Sequence, residues 1–189
     1  MRRLILALVV GALAVTVGAV GVDQTYYLVG GPGGGGAVVR IGGVISSNVT
    51  AVANSGAIET DLMTYTLPGG SLATHAQGLR ITATWTTAAN ATAKDAKWYF
   101  GGTVIGSLIG DTGVSAQIRM TGYVFRTGAA TQFGSVLTDE HVGATLGNGN
   151  AQVTAPAETL SGAVVIKTTG KGGVNADITC VQLLVEVLP

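Results

Sequence analysis

The stretch that decides the fold is residues 79–87, which read Leu-Arg-Ile-Thr-Ala-Thr-Trp-Thr-Thr. Apolar and polar side chains alternate through it without a break, and the apolar positions are Leu79, Ile81, Ala83 and Trp85. Because successive side chains of a β-strand point to opposite sides, this alternation predicts a strand with one face in the core and one in water. The pattern recurs in residues 116–124, where the apolar positions are Ala116, Ile118, Met120 and Val124. The sequence therefore predicts sheets with one solvated side.

The composition limits the classes of function. Charged residues form 11% of the 189 residues and apolar residues 47%, whereas an ordinary soluble domain has about 25% charged residues. With so little charge to keep free copies apart, we expect the chain to pack against copies of itself or to work outside the cell. The formal net charge is zero, and the ten Lys and Arg residues form no cluster longer than Arg2-Arg3. A nucleic-acid partner is therefore not expected.

The N-terminal segment is apolar, since residues 4–22 follow Met1-Arg2-Arg3 and carry no charge. Three interpretations stay open: a secretory signal peptide cleaved near Val17-Gly18-Ala19, a membrane anchor, or a stem buried between copies of the chain. Residues 30–36 are glycines and one proline and predict a flexible joint. The predicted parts are the attachment segment 1–29, the linker 30–36 and the folded domain 37–189.

The folded domain is predicted to be all-β. Runs typical of strands cover residues 37–46, 48–53, 58–67, 78–88, 95–105, 114–127, 131–138, 160–169 and 175–188, and turn-forming Gly, Asn and Asp separate them. Strands at this spacing predict an antiparallel β-sandwich of jelly-roll type, with an up-and-down barrel as the alternative.

The last predicted strand is apolar on both faces from Val181 onward. A strand of this kind is buried on both sides, and a neighbouring subunit is the favoured cover. The candidate interface residues are Val181, Leu183, Val185 and Val187. The alternative is a β-bulge near Val181-Gln182 that shifts the inward face by one residue.

Three segments within residues 45–130 are considered together: Glu59-Thr-Asp-Leu-Met-Thr-Tyr-Thr-Leu-Pro68, Gly78-Leu-Arg-Ile-Thr-Ala-Thr-Trp85 and Lys97-Trp-Tyr-Phe-Gly-Gly-Thr103. They resemble a module of tailed-bacteriophage virion proteins, namely the trimeric jelly-roll domains of fibres, spikes and capsid decorations. The resemblance implies a structural or host-contacting virion part, a homotrimer and no enzyme activity. Other virion proteins and a host-surface glycan are the further partners that it implies. The long apolar N-terminus departs from the usual pattern of these proteins.

No catalytic, cofactor-binding or metal-ligating residue is predicted. In Asp139-Glu140-His141 only Asp139 and His141 share a face of an extended strand, and two ligands do not make a metal site, so we expect a polar loop there. His75 has no acidic neighbour. The serines at Gly106-Ser107 and Gly134-Ser135 lack the Gly-x-Ser-x-Gly spacing of a nucleophile. Cys180 is expected to be a small buried side chain.

Tyr123 and Phe125 lie on the predicted wet face of their strand and are candidate surface contacts, either between subunits or with sugar rings. The sequence leaves two functions open. The first is a homotrimeric structural protein of a phage virion. The alternative is a secreted bacterial cell-surface module that binds carbohydrate, or one anchored in the membrane through residues 4–22.

Overall fold

The computed structural model describes residues 43–112, 115–142 and 145–188, and the predicted segment 1–29 and linker 30–36 lie outside them. All regular structure in the described residues is β. The strands are β1 (Gly43–Asn48), β2 (Val52–Ala53), β3 (Thr60–Leu67), β4 (Gly78–Thr87), β5 (Lys94–Phe100), β6 (Thr103–Asp111), β7 (Ala116–Gly128), β8 (Thr131–Val142), β9 (Thr145–Thr154), β10 (Val164–Lys171) and β11 (Ile178–Leu188).

The strands form two antiparallel sheets. The large sheet has the order β1-β11-β4-β7-β8-β9, with β2 also paired to β11, and the small sheet has the order β3-β10-β5-β6. Their inner faces enclose one hydrophobic core. The predicted β-sandwich is therefore confirmed, and the two sheets do not close into a single barrel.

The core contains the inward side chains that the alternation predicted. Those of the large sheet are fully buried and include Leu79, Ile81, Ala83, Trp85, Ile118, Met120 and Val124. The small sheet adds Met63, Leu67, Trp98 and Phe100, with Tyr65 packed against the cluster. Burial of one large side chain of this kind contributes about 1.5–3 kcal/mol.

Two glycines make room for the indole of Trp98. A Cβ atom added at Gly106 of β6 would lie 2.8 Å from Trp98 Nε1, and one added at Gly122 of β7 would lie 2.7 Å from Trp98 Cζ2. Both distances are too short for a carbon contact. The missing side chains therefore let one tryptophan lie against both sheets at once.

Two differences from the predicted strands raise the number of strands above the number expected. Residues 95–105, predicted as one strand, form β5 and β6, joined by a turn at Gly101. Gly101 has φ +57°, in the left-handed region that glycine adopts most easily. The other difference is β9, which was missed because residues 147–150 read Gly-Asn-Gly-Asn, a sequence typical of turns.

The last strand contains a β-bulge at Val181. Cys180 pairs with Trp85 and Gln182 pairs with Thr84, which leaves Val181 as an extra residue between them. Cys180 points into the core before the bulge, and Leu183 and Val185 point into it afterwards. One extra residue moves the inward face by one position, which explains the apolar run on both faces.

At one end of the sandwich, the buried side chain of Asp177 holds together the loop after β4 and the loop after β10. Its carboxylate accepts hydrogen bonds of 2.7–2.9 Å from Asn90 Nδ2, Thr92 Oγ1 and the backbone N–H groups of Gly173 and Val174. The bond from Asn90 first, and then those from the two backbone N–H groups and Thr92, lower the pKa of Asp177 to about 2. We call this the Asp177 end. At the other end, Gly43 of β1 lies opposite Val187 of β11.

Candidate functional site

The outer face of the large sheet carries exposed apolar side chains on three adjacent strands. Phe133 of β8 lies directly opposite Phe125 of β7, and Tyr123, Ser135 and Val153 form the next row across β7, β8 and β9. One row further, Leu137 lies opposite Thr121. We call Tyr123, Phe125, Phe133, Leu137 and Val153 together the apolar patch.

The apolar patch is open to solvent and partly rigid. Phe133, Leu137 and Val153 are 44%, 51% and 68% exposed. The rings of Tyr123 and Phe125 are stacked, with centroids 6.0 Å apart and an angle of 11° between their planes. Because these rings already support each other, they lose little rotamer freedom when something binds over them.

Neighbouring strands fix the position of the patch. A Cβ atom at Gly78 of β4 would lie 2.4 Å from Phe125 Cδ1, so the Phe125 ring lies across a strand that has no side chain there. Arg80 is the partner of Tyr123 across β4 and β7, and it donates two hydrogen bonds of 2.6 and 2.7 Å to the Glu186 carboxylate. The hydrogen bonds of this ion pair raise the pKa of Arg80 and lower that of Glu186.

The outer face of the small sheet has a different character. Glu59 accepts hydrogen bonds from Lys97 Nζ at 2.6 Å, Tyr99 Oη at 2.5 Å and Thr169 Oγ1 at 2.8 Å. Partial burial by itself would raise the pKa of Glu59, but these bonds outweigh it and lower the pKa to about 2. Burial and the bond to Glu59 raise the pKa of Tyr99 to about 12.

Further charged pairs continue along this face. Lys167 Nζ lies 2.8 Å from Asp61 Oδ1 and also stands over the ring of Tyr99, 5.2 Å from its centroid. Lys171 and Asp95 add a looser pair at 3.7 Å. The small sheet thus presents paired charges to solvent, whereas the large sheet presents the apolar patch.

The candidate interface residues of β11 fall into two groups. Leu183 and Val185 are 0% exposed, because the domain's own core covers them, so the prediction that they contact another subunit was wrong. Val187 packs against the same core but is partly exposed, and Val181 sits in the bulge and is also partly exposed. For these two the subunit interface stays a prediction.

Asp139 and His141 share the outer face of β8, as predicted, and Glu140 points inward and is buried. The expectation of a loop at these residues was wrong, because β8 continues to Val142 and pairs with β7 along this stretch. The added pairing with β7 holds the residues extended. Within the part of the chain that the structure describes, no three His, Cys, Asp or Glu side chains are grouped closely enough to hold a metal ion.

The remaining candidates for chemistry lie in a loop, at a contact between two strands and in the core. His75 is exposed in the loop before β4. The backbone N–H of Ser107 donates to Gln152 Oε1 at 2.9 Å, and Gln152 Nε2 donates to the Ser107 carbonyl at 2.8 Å, which ties β9 to β6. Cys180 is buried, as predicted, and burial raises the pKa of its thiol. None of the described residues belongs to a helix that could span a membrane.

Sequence reasoning found two members of the apolar patch and missed three. Tyr123 and Phe125 were found because β7 alternates clearly. Phe133 and Leu137 alternate with Gln132, Gly134 and Val136 in the same way, and this signal was available. The alternation did not show which face of β8 is exposed, because Val136 on the opposite face is apolar as well. In the structure Val136 points inward. Val153 lies on the strand that was not predicted.

Comparisons with protein-family models, with curated proteins and with solved structures found no match for this chain.

Proposed function

We propose that this chain is a non-enzymatic structural protein of a bacteriophage virion. In this proposal it is a homotrimer of jelly-roll heads that decorates the capsid or forms part of a fibre or spike. The observation that carries the proposal is the order of the strands.

The strand pairs support the jelly-roll part of the proposal, because a jelly roll is in essence one long antiparallel hairpin of eight strands rolled into two sheets. The outermost pair of such a hairpin corresponds to β1 with β11, and the next to β3 with β10. The inner pairs correspond to β4 with β7 and β5 with β6. These pairs alternate between the two sheets, as rolling requires. The strands β8 and β9 are then an insertion that widens the large sheet.

Composition supports a building-block role. The chain has few charges for its size, and the charges of the small sheet are largely paired with one another. A surface of this kind offers little electrostatic repulsion between copies, which favours assembly at high local concentration. The sequence resemblance to phage virion modules points in the same direction.

One observation favours the alternative function. The stacked rings of Tyr123 and Phe125 form an exposed aromatic surface on one sheet, and aromatic faces are a common platform for sugar rings. A secreted or membrane-anchored module that binds carbohydrate is therefore the second candidate.

The virion assignment is tested on particles. Phage-like particles purified on a density gradient from the organism that carries this gene should contain the chain at a fixed ratio to the major capsid protein, measured by quantitative mass spectrometry. The control is the culture supernatant depleted of particles. Recovery of the chain only in that supernatant or in membranes would contradict the proposal and favour the surface module.

The homotrimer is tested separately on the purified full-length chain. Light scattering after size-exclusion chromatography should give three times the mass of the chain. A monomer that binds glycans on an array would contradict the trimer and support the alternative.

A further inference from the structure

The two outer faces of the sandwich differ in a way that points to an interaction surface. On the small sheet, charged side chains such as Glu59, Lys97 and Lys167 neutralise one another while they stay in contact with water. On the large sheet, the apolar patch occupies four of the six outward positions in three rows of β7 and β8, with Ser135 and Thr121 at the other two, and it reaches β9 at Val153. A solvated face has no need for large apolar side chains at successive outward positions, so the patch is suited to being covered.

Further apolar side chains lie beyond the patch on the same face. Leu184 and Leu188 of β11 are partly exposed opposite Thr82 and Gly78, and Val44 at the β1 edge is 37% exposed. The row through Val44 also contains the ion pair of Glu186 and Arg80, whose charges are already satisfied within the face. The face therefore has apolar groups at both sides, with the ion pair of Arg80 and Glu186 between them.

The size of this face suits a stable protein contact. Six strands about 4.8 Å apart, taken over three rows about 6.8 Å apart, cover roughly 600 Å² in projection. Side chains that stand up from the sheet add accessible area to this value. A standard protein interface takes about 800 Å² from each partner, so the face amounts to most of one such interface, or to roughly 300 Å² for each of the two contacts that a subunit of a trimer makes.

We infer that the outer face of the large sheet, centred on the apolar patch, is the surface through which one copy of this chain contacts the next. The inference rests on the proposed homotrimer and names its interface. In a closed ring the contact is heterologous, so that different parts of the face meet on neighbouring subunits. The patch at β7 to β9 and the leucines of β11 supply two such parts on one face.

The test compares lysine substitutions on the two outer faces. The variants Leu137→Lys and Val153→Lys each place a charge in the patch, and Val165→Lys places one on the outer face of the small sheet, where Val165 is 41% exposed. Each is made in the full-length chain, and the oligomeric mass is measured by light scattering over a range of concentrations. Patch variants should associate at least about 30-fold more weakly than the wild type, whereas Val165→Lys should not change the association.

Three outcomes distinguish the claims. Patch variants that become monomeric beside an oligomeric Val165→Lys variant support the inference. A wild type and patch variants that are all equally oligomeric overturn the inference and leave the homotrimer intact. A monomeric wild type overturns both, and a loss of glycan binding in Leu137→Lys would then assign the face to sugar.

Should a lysine variant lose cooperative thermal unfolding, Leu137→Thr and Val153→Thr give the same comparison with side chains that suit a strand.

Discussion

At the residue scale, the carboxylate of Asp177 shows how one side chain can hold an entire end of the sandwich. It links the loop after β4, through Asn90, to the turn that leads into β11, through the N–H groups of Gly173 and Val174. An acceptor-only group is required here, because every neighbour on it is a donor. Asparagine would place an NH₂ group against some of those donors.

Asp177→Asn is therefore expected to lower the stability of the domain at neutral pH and to change its acid dependence. The pKa of Asp177 is lowered from an ordinary 3.8 to about 2. A lowered pKa stabilises the folded state fully above 3.8, and that contribution disappears as the pH falls toward 2. Urea unfolding midpoints measured from pH 7 to pH 2 should fall more steeply below pH 4 in the wild type than in the variant.

The quantity to compare is the difference in pH dependence between the wild type and the variant. Glu59 and Glu186 also have lowered pKa values, so they contribute to the acid dependence of both proteins. Asn90→Ala removes one donor to the Asp177 carboxylate, together with the acceptor of the Thr92 N–H and hydroxyl groups, and should give an intermediate pH dependence. Parallel curves for the wild type and Asp177→Asn would show that the carboxylate does not stabilise the loops in its ionised form.

At the element scale, β11 depends on one residue that does not fit the ladder. Without Val181, the remaining residues from Ile178 to Leu188 alternate perfectly between core and outer face. Deletion of Val181 is thus expected to close the ladder in register and to leave a folded domain. Deletion of Leu184 instead forces Gln182 or Glu186 into a core position, whichever way the strand adjusts.

We expect the Leu184 deletion to be less stable than the Val181 deletion by at least about 3 kcal/mol, since one core side chain is lost and one polar group is buried. Chemical denaturation monitored by tryptophan fluorescence measures both. Equal free energies of unfolding for the two deletions would contradict the conclusion that the bulge at Val181 sets the register between β11 and β4.

The same elements show how far sequence alone could go. Strands such as β4 and β7 were predictable because one buried face imposes a period of two on their side chains. The bulge was one of two interpretations of β11, because a β-bulge and a strand buried on both faces produce the same run of apolar residues in the sequence. Strand β9 was not predicted because Gly149 and Asn150 belong to a turn-like stretch, and it is their pairing with β8 that makes them part of a strand. Local sequence preference contains no information about that pairing. The apolar patch could not be predicted as a whole for the same reason, because its residues are brought together by the pairing of β7, β8 and β9.

At the scale of the whole molecule, the two outer faces differ: among the described residues, the small sheet carries three ion pairs, and the large sheet carries the apolar patch beside one ion pair. The proposed interface uses the face with the apolar patch, which fixes how the assembly should respond to its surroundings. Apolar association is driven largely by entropy near 25 °C and weakens on cooling, whereas contacts between exposed ions weaken when salt screens them.

Raising NaCl from about 0.1 M to about 1 M should therefore leave the oligomer intact or strengthen it, and cooling from about 25 °C to about 5 °C should weaken it. Sedimentation equilibrium near the dissociation constant measures both effects, with Val165→Lys as the control. Dissociation on addition of salt would contradict a contact made mainly by apolar side chains.

The antiparallel pairing of Gly43 with Val187 has a mechanical consequence. The chain enters β1 and leaves β11 at the same end of the sandwich, so opposing forces applied there would peel the two strands apart one hydrogen-bonded pair at a time. Strands loaded from opposite ends resist together, as in shear, but strands loaded from one end open like a zipper. The head is thus weak when pulled between its own two ends. A force applied between the start of β1 and the Asp177 end acts along the strands. It loads their hydrogen bonds together in shear, which is the direction in which the sheet is strong.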